Sequence, residues 1–181
     1  MAPRRVGLLT VVFLVGTSAA AATARADDDG HHDERREDRE HTIVVGVGGA
    51  AEVELSGGEV HPGGSVMIEW EGIDDWLELE LGASVLSAEG GLVVPVDLLF
   101  KKPFRLAPWS EVMVGLGPEI VATSLPRATY FGAEAAVDLM FWPCGPRTGL
   151  WVEPELDVVG LGAAGGVSTG VGSTGGLLIG W

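Results

Sequence analysis

The sequence predicts an all-β fold, an eight-stranded antiparallel up-and-down barrel, from three observations. Apolar and polar residues alternate with a period of two over long stretches. The connectors between those stretches are short and rich in Gly and Pro. The aromatic side chains gather at one end of the strands so defined.

The first element precedes the barrel. Arg4 and Arg5 stand before a mainly apolar run over 6–15, and Ala24-Arg25-Ala26 places small residues two apart before Asp27. This is the pattern of a cleavable signal peptide over 1–26. Its ten-residue run is shorter than the roughly 20 residues a membrane-spanning helix needs, and no cysteine follows to carry a lipid. Cleavage removes three of the eleven bases and none of the 26 acids, taking the formal charge from -15 to -18. Residues 27–41, DDDGHHDERREDREH, hold no aliphatic or aromatic side chain and read as a disordered acidic, His-rich tail. His31, His32 and His41 are weak metal candidates there, because irregular spacing in an unfolded segment closes no site.

The barrel is expected over 42–181. Leu77, Leu79, Leu81, Ala83 and Val85 alternate with Glu78, Glu80, Gly82 and Ser84, which puts carbon on one sheet face and carboxylates on the other. Phe131, Ala133, Ala135, Val137, Leu139 and Phe141 repeat the pattern against Glu134 and Asp138. So do Leu150, Val152, Leu156 and Val158 against Glu153, Glu155 and Asp157. The strands expected are 43–55, 65–71, 77–85, 92–100, 111–122, 131–141, 150–158 and 169–181. The connectors, such as SAEGG, KKPFRLAP and PCGPRTG, are short enough to join antiparallel neighbours directly.

Alternation alone does not say which face is buried. A water-soluble barrel hides its apolar face, whereas a transmembrane barrel turns that face to lipid and leaves no unpaired backbone edge in hydrocarbon. The aromatics decide for the membrane. Trp70, Trp76, Phe100, Phe104, Trp109, Phe141, Trp142, Trp151 and Trp181 all fall at the end holding the second, fourth and sixth connectors, as an interfacial girdle requires. Leu177, Ile179 and Trp181 share one face in two-residue steps. With these residues the stretch 42–181 resembles the small eight-stranded outer-membrane barrels of the OmpA and OmpX type. The resemblance implies a bacterial outer-membrane location, contact with outer-membrane lipids, and recognition of the Trp181 segment by the barrel-assembly machinery. It implies no helical membrane span. The short connectors depart from members with long extracellular loops, and so count against adhesion through loops.

If the aliphatic face is outward, thirteen acids point inward, among them Glu69, Glu71, Glu78, Glu80, Glu134, Asp138, Glu153, Glu155 and Asp157, with Glu52, Glu54, Asp97 and Glu119. All five bases after His41, Lys101, Lys102, Arg105, Arg127 and Arg147, read as connector residues. Such an interior needs protons, water or cations to offset its charge. An eight-stranded barrel is wide enough only for side chains or one small ligand, so a general porin channel is not expected, and a narrow cation or proton path is the functional alternative.

Other chemistry finds little footing. The acidic balance excludes a phosphate-binding nucleic-acid surface, and one cysteine, Cys144, excludes a disulfide scaffold or a CxxC zinc site. Gly160 to Gly165 matches GxGxxG, but the sixteen residues after it cannot supply the helix and strand of a dinucleotide site. No cofactor is expected. His61 and Ser65 with Glu59 are the one nucleophile and base set that a lipid-modifying barrel hydrolase would use, and they sit at a turn. The reading is therefore a non-catalytic structural or interaction barrel. The rivals are that hydrolase and a soluble periplasmic barrel with an apolar ligand inside and its acids outside.

Overall fold

A strand that alternates carbon with carboxylate has two unlike faces, and a sheet of such strands that closes on itself must put one face inside. The computed structural model describes residues 43–73, 76–145, 147–160 and 166–181. The expected signal peptide and the tail with His31, His32 and His41 lie outside them, as do Gly162 and Gly165. Eight strands follow in chain order: β1 (Ile43–Glu54), β2 (Val60–Ile73), β3 (Leu77–Ala88), β4 (Gly91–Ala107), β5 (Ser110–Ser124), β6 (Arg127–Phe141), β7 (Thr148–Val159) and β8 (Ser168–Gly180). Each pairs antiparallel with the next, and β1 pairs with β8, so the sheet is a closed barrel. Closure satisfies the backbone without leaving an edge. The connectors run from two to eight residues at both ends.

The faces are inside out relative to a soluble protein. Val47, Leu116, Phe131 and Leu177 are 58 to 64% exposed, while Glu69, Glu80 and Asp138 are 1 to 2% exposed. The alternative of a soluble barrel with external acids is thereby corrected: the acids fill the lumen. A closed sheet with this polarity suits hydrocarbon outside and hydrogen-bonding groups inside. No helix among the described residues is long and apolar enough to cross a membrane, and the strands make the crossing instead.

Six strands run longer than expected, β2 and β4 by the most. β2 starts at Val60, through His61-Pro62-Gly63-Gly64, and β4 continues past Phe100 to Ala107. The stretch KKPFRLA is therefore strand rather than connector, leaving only Pro108 and Trp109 to turn into β5. Pro103 had the look of a breaker, yet it pairs with Met113 in the β4–β5 ladder, while Phe100 and Phe104 stay outward on either side. One consequence is large: Lys101, Lys102 and Arg105 belong to β4, and Arg127 opens β6.

Candidate functional site

The lumen holds the chemistry, and its filling is ordered along the barrel axis. At the end of the chain termini, Val44, Met67, Met113, Met140, Trp142, Trp151 and Leu178 pack into one buried apolar cluster. This plug corrects the girdle expected from sequence. Trp142 and Trp151 are 5 and 2% exposed and lie inside, whereas Trp76, Phe100, Phe104, Trp109, Phe141 and Trp181 are outward and exposed. Trp70 is half-buried on the outward face of β2. Trp109 and Phe141 stack with centroids 6.4 Å apart, and Lys102 Nζ lies 6.0 Å from the centre of the Trp76 ring. Strand parity explains Trp151, because Leu150 and Val152 on either side of it face out.

Beside the plug stands a buried cation, Lys101. Lys101 is fully buried, and its ammonium donates to Glu80 Oε2 at 2.7 Å, to Glu153 Oε2 at 2.5 Å and to Asp138 Oδ2. An ammonium has three protons, so its donors are used up. The expectation that no base enters from a strand is thus corrected: with odd-numbered β4 positions inward, Lys101 follows Asp97 and Leu99 into the lumen. Thr174 Oγ1 adds a hydrogen bond to Glu153 Oε1 at 3.2 Å.

Away from the plug the charged groups of the lumen are acids. A cavity of about 30 Å³, room for two or three waters, is lined by Asp97, Glu119, Glu134, Glu153, Glu155 and Asp157, with Ser65, Thr174 and Trp151 also on its wall. Asp157 accepts from the Gly170 amide at 3.1 Å. Glu119 Oε2 and Asp97 Oδ2 are buried without a hydrogen-bond partner. The expected acids are all on the inward face. Glu69, Glu80, Glu134, Asp138, Glu153 and Asp157 are buried, and Glu71, Glu78 and Glu155 are half-buried.

Glycine makes room for these long side chains. Asp97 pairs across the ladder with Gly82, Lys101 with Gly115, Glu134 with Gly117, Glu119 with Gly132, Asp157 with Gly170 and Glu155 with Gly172. A Cβ at Gly115 would stand 2.7 Å from Lys101 Cγ, and one at Gly170 would stand 2.9 Å from Glu52 Oε1. Trp151 uses Gly176 in the same way, at 2.8 Å. A narrow barrel gains room for a charged interior where a bulky inward residue meets a partner without a side chain, as at these positions.

The remaining sequence candidates do not assemble. His61 lies 3.5 Å from Glu59, and Ser65 Oγ faces the Gly49 carbonyl at 3.5 Å on the lumen wall. Among the described residues His61 and Ser65 share no hydrogen bond, and Ser65 is turned away from lipid. Cys144 is an exposed free thiol in the β6–β7 connector.

No protein-family model and no curated protein sequence matches this chain. Solved structures do. Neisserial surface protein A superposes with a TM-score of 0.55 at 12% identity, over 77% of this chain and 96% of that one. The N-terminal β-barrel domain of Pseudomonas aeruginosa OprF gives 0.49 at 13% identity, over 78 and 98%. Ail, the attachment invasion locus protein of Yersinia pestis, gives 0.48 at 11%, over 76 and 97%. The likeness to the neisserial protein establishes the fold. With its apolar exterior and charged lumen, the chain has the architecture of a bacterial outer-membrane barrel.

Proposed function

We propose that this chain works in the bacterial outer membrane as a structural or interaction protein, without catalysis, its lumen closed to free permeation. The observation that carries the reading is the inverted polarity: carboxylates and Lys101 are buried within, and aliphatic side chains are exposed around the whole outer wall. In water that wall would be a very large apolar patch, whereas lipid covers it. Trp70, Trp76, Phe100, Trp109, Phe141 and Trp181 form the interfacial ring, with Phe104, and hold the barrel at the level of the headgroups. The outward stripe Leu177, Ile179 and Trp181 is the surface offered to the assembly machinery.

A second reading, a narrow cation or proton path, is supported by the run of carboxylates along the lumen. The methionine and tryptophan plug weighs against it, because those buried apolar side chains pack together near the end of the chain termini. Membrane fractionation with electrophoresis of unheated and boiled samples tests the main proposal. Retention in the outer-membrane fraction and a folded band that migrates apart from the boiled one are expected. Extraction without detergent, with no heat shift, would overturn it.

A further inference from the structure

We propose that the acidic chamber is a binding site for one hard divalent cation, with Glu134, Glu153 and Glu155 as its protein ligands and Ca²⁺ as the ion it suits.

Three carboxylate oxygens, one from each of these side chains, lie within 4.8 Å of one another. An ion centred among three oxygens at that spacing stands about 2.8 Å or less from each, so side-chain shifts of a few tenths of an ångström bring all three to a Ca–O bond of about 2.3–2.6 Å. The ligands come from neighbouring strands: Glu134 from β6, and Glu153 and Glu155 two residues apart on β7. The same side chains line the cavity, which supplies space for the ion and the waters that complete its shell.

Proximity of acids is by itself no argument, since protons can separate them. A second observation points to a ligand. Glu119 is only 4% exposed, lines this cavity, and has a buried Oε2 without a hydrogen-bond partner. Leaving a buried acceptor unpaired is costly, and an ion with its waters gives that oxygen something to face. No base lines the cavity, and Lys101, the nearest cation among the described residues, has spent its three protons on Glu80, Asp138 and Glu153.

The other acidic trio, Glu69, Glu80 and Asp138, is spaced as closely, but the Lys101 ammonium already holds two of its members, whereas of the chosen trio it holds one, Glu153. Glu153 is therefore shared between the resident ammonium near the plug and the exchangeable ion beyond it, and Glu134 and Glu155 are the ligands that Lys101 leaves to the ion. The donors are all oxygen, which selects hard ions over zinc or copper. Three carboxylates placed by strand geometry fit the flexible shell of Ca²⁺ better than the strict octahedron of Mg²⁺. The site depends on the lumen geometry alone, so it stands whether or not the barrel conducts.

Trp151 supplies the test. Its indole is on the cavity wall, and Tb³⁺, a luminescent stand-in for Ca²⁺, emits when a nearby tryptophan is excited. The segment 27–41 contains no tryptophan but ends two residues before Ile43, which pairs with Trp70 and Trp181, so emission counts for the chamber only where Glu134→Gln or Glu155→Gln weakens it. Folded full-length protein in detergent, stripped with chelator, is titrated with Tb³⁺ and then with Ca²⁺. Saturable sensitised emission is expected, displaced by Ca²⁺ below about 1 mM, the weak end of known calcium sites. The pair Glu134→Gln and Glu155→Gln should weaken Ca²⁺ at least tenfold while the heat-shifted band is kept, and Glu71→Gln, outside the chamber, should change nothing. Emission that is absent in the folded wild type, that Ca²⁺ fails to displace, or that survives unchanged in the folded double variant overturns the site. Should the double variant not fold, Glu155→Gln alone decides by the same readout. Since the heat shift reports membrane-barrel folding and the emission reports the ion, failure of one is distinguishable from failure of the other.

Discussion

The ammonium of Lys101 donates its three protons to three carboxylates on three other strands, Glu80 of β3, Asp138 of β6 and Glu153 of β7. It therefore ties opposite walls of the barrel together across the lumen. Burying such a cluster is expensive, but once it is formed, removing the cation leaves several carboxylates facing each other without an offsetting charge. Lys101→Met is expected to lower the unfolding free energy by about 3–5 kcal/mol, read from urea titration of the folded protein in detergent. An unchanged midpoint would mean that the carboxylates do not depend on it. This residue was legible in principle. Asp97, Leu99 and Lys101 share one parity, but the adjacent Lys102 and Pro103 gave the stretch the composition of a turn. Trp151 is a similar case: its neighbours Leu150 and Val152 face outward and parity turns it inward, against the preference of tryptophan for a membrane interface.

At the scale of the strand, two-residue alternation is the dependable signal, because a slip of one residue would carry every side chain to the wrong face. The outward sets read from 77–85, 131–141 and 150–158 all face out in β3, β6 and β7. Strand ends were less legible. β2 and β4 run through Pro62 and Pro103, since a ladder admits proline wherever its nitrogen need not donate. Cross-strand glycines were also hidden, because the match of Asp97 to Gly82 or Glu155 to Gly172 exists only once the register is set. Leu116 gives the outer face a direct test. It lies mid-strand in β5 and is 64% exposed. Leu116→Arg is expected to destabilise the barrel in lipid by about 2–4 kcal/mol, as a charge near the midplane does. A surface leucine of a water-soluble protein would tolerate the change, and refolding into vesicles with a urea titration separates the two.

For the whole molecule, the lumen acts as a filled core whose ends differ, an apolar plug beside the chain termini and an acidic chamber beyond it. In a planar bilayer the purified barrel is expected to hold no steady conductance. A stable, salt-dependent current in the wild type would instead show that the plug opens and would favour the cation path. The short connectors on both sides leave the barrel wall and its rims as the surfaces available to partners. The sequence by itself determined the strand count, the antiparallel order, which face of each strand is apolar, and that the acids share the other. These follow from local periodicity and turn chemistry, which neighbouring residues carry in full. Tertiary structure alone decided that Lys101 turns into the lumen beside Asp138, that Trp142 and Trp151 plug one end, and that Glu134, Glu153 and Glu155 surround a cavity. Those relations join residues far apart in the chain, Lys101 and Glu153 by 52 positions, and such meetings are set by strand register and barrel closure.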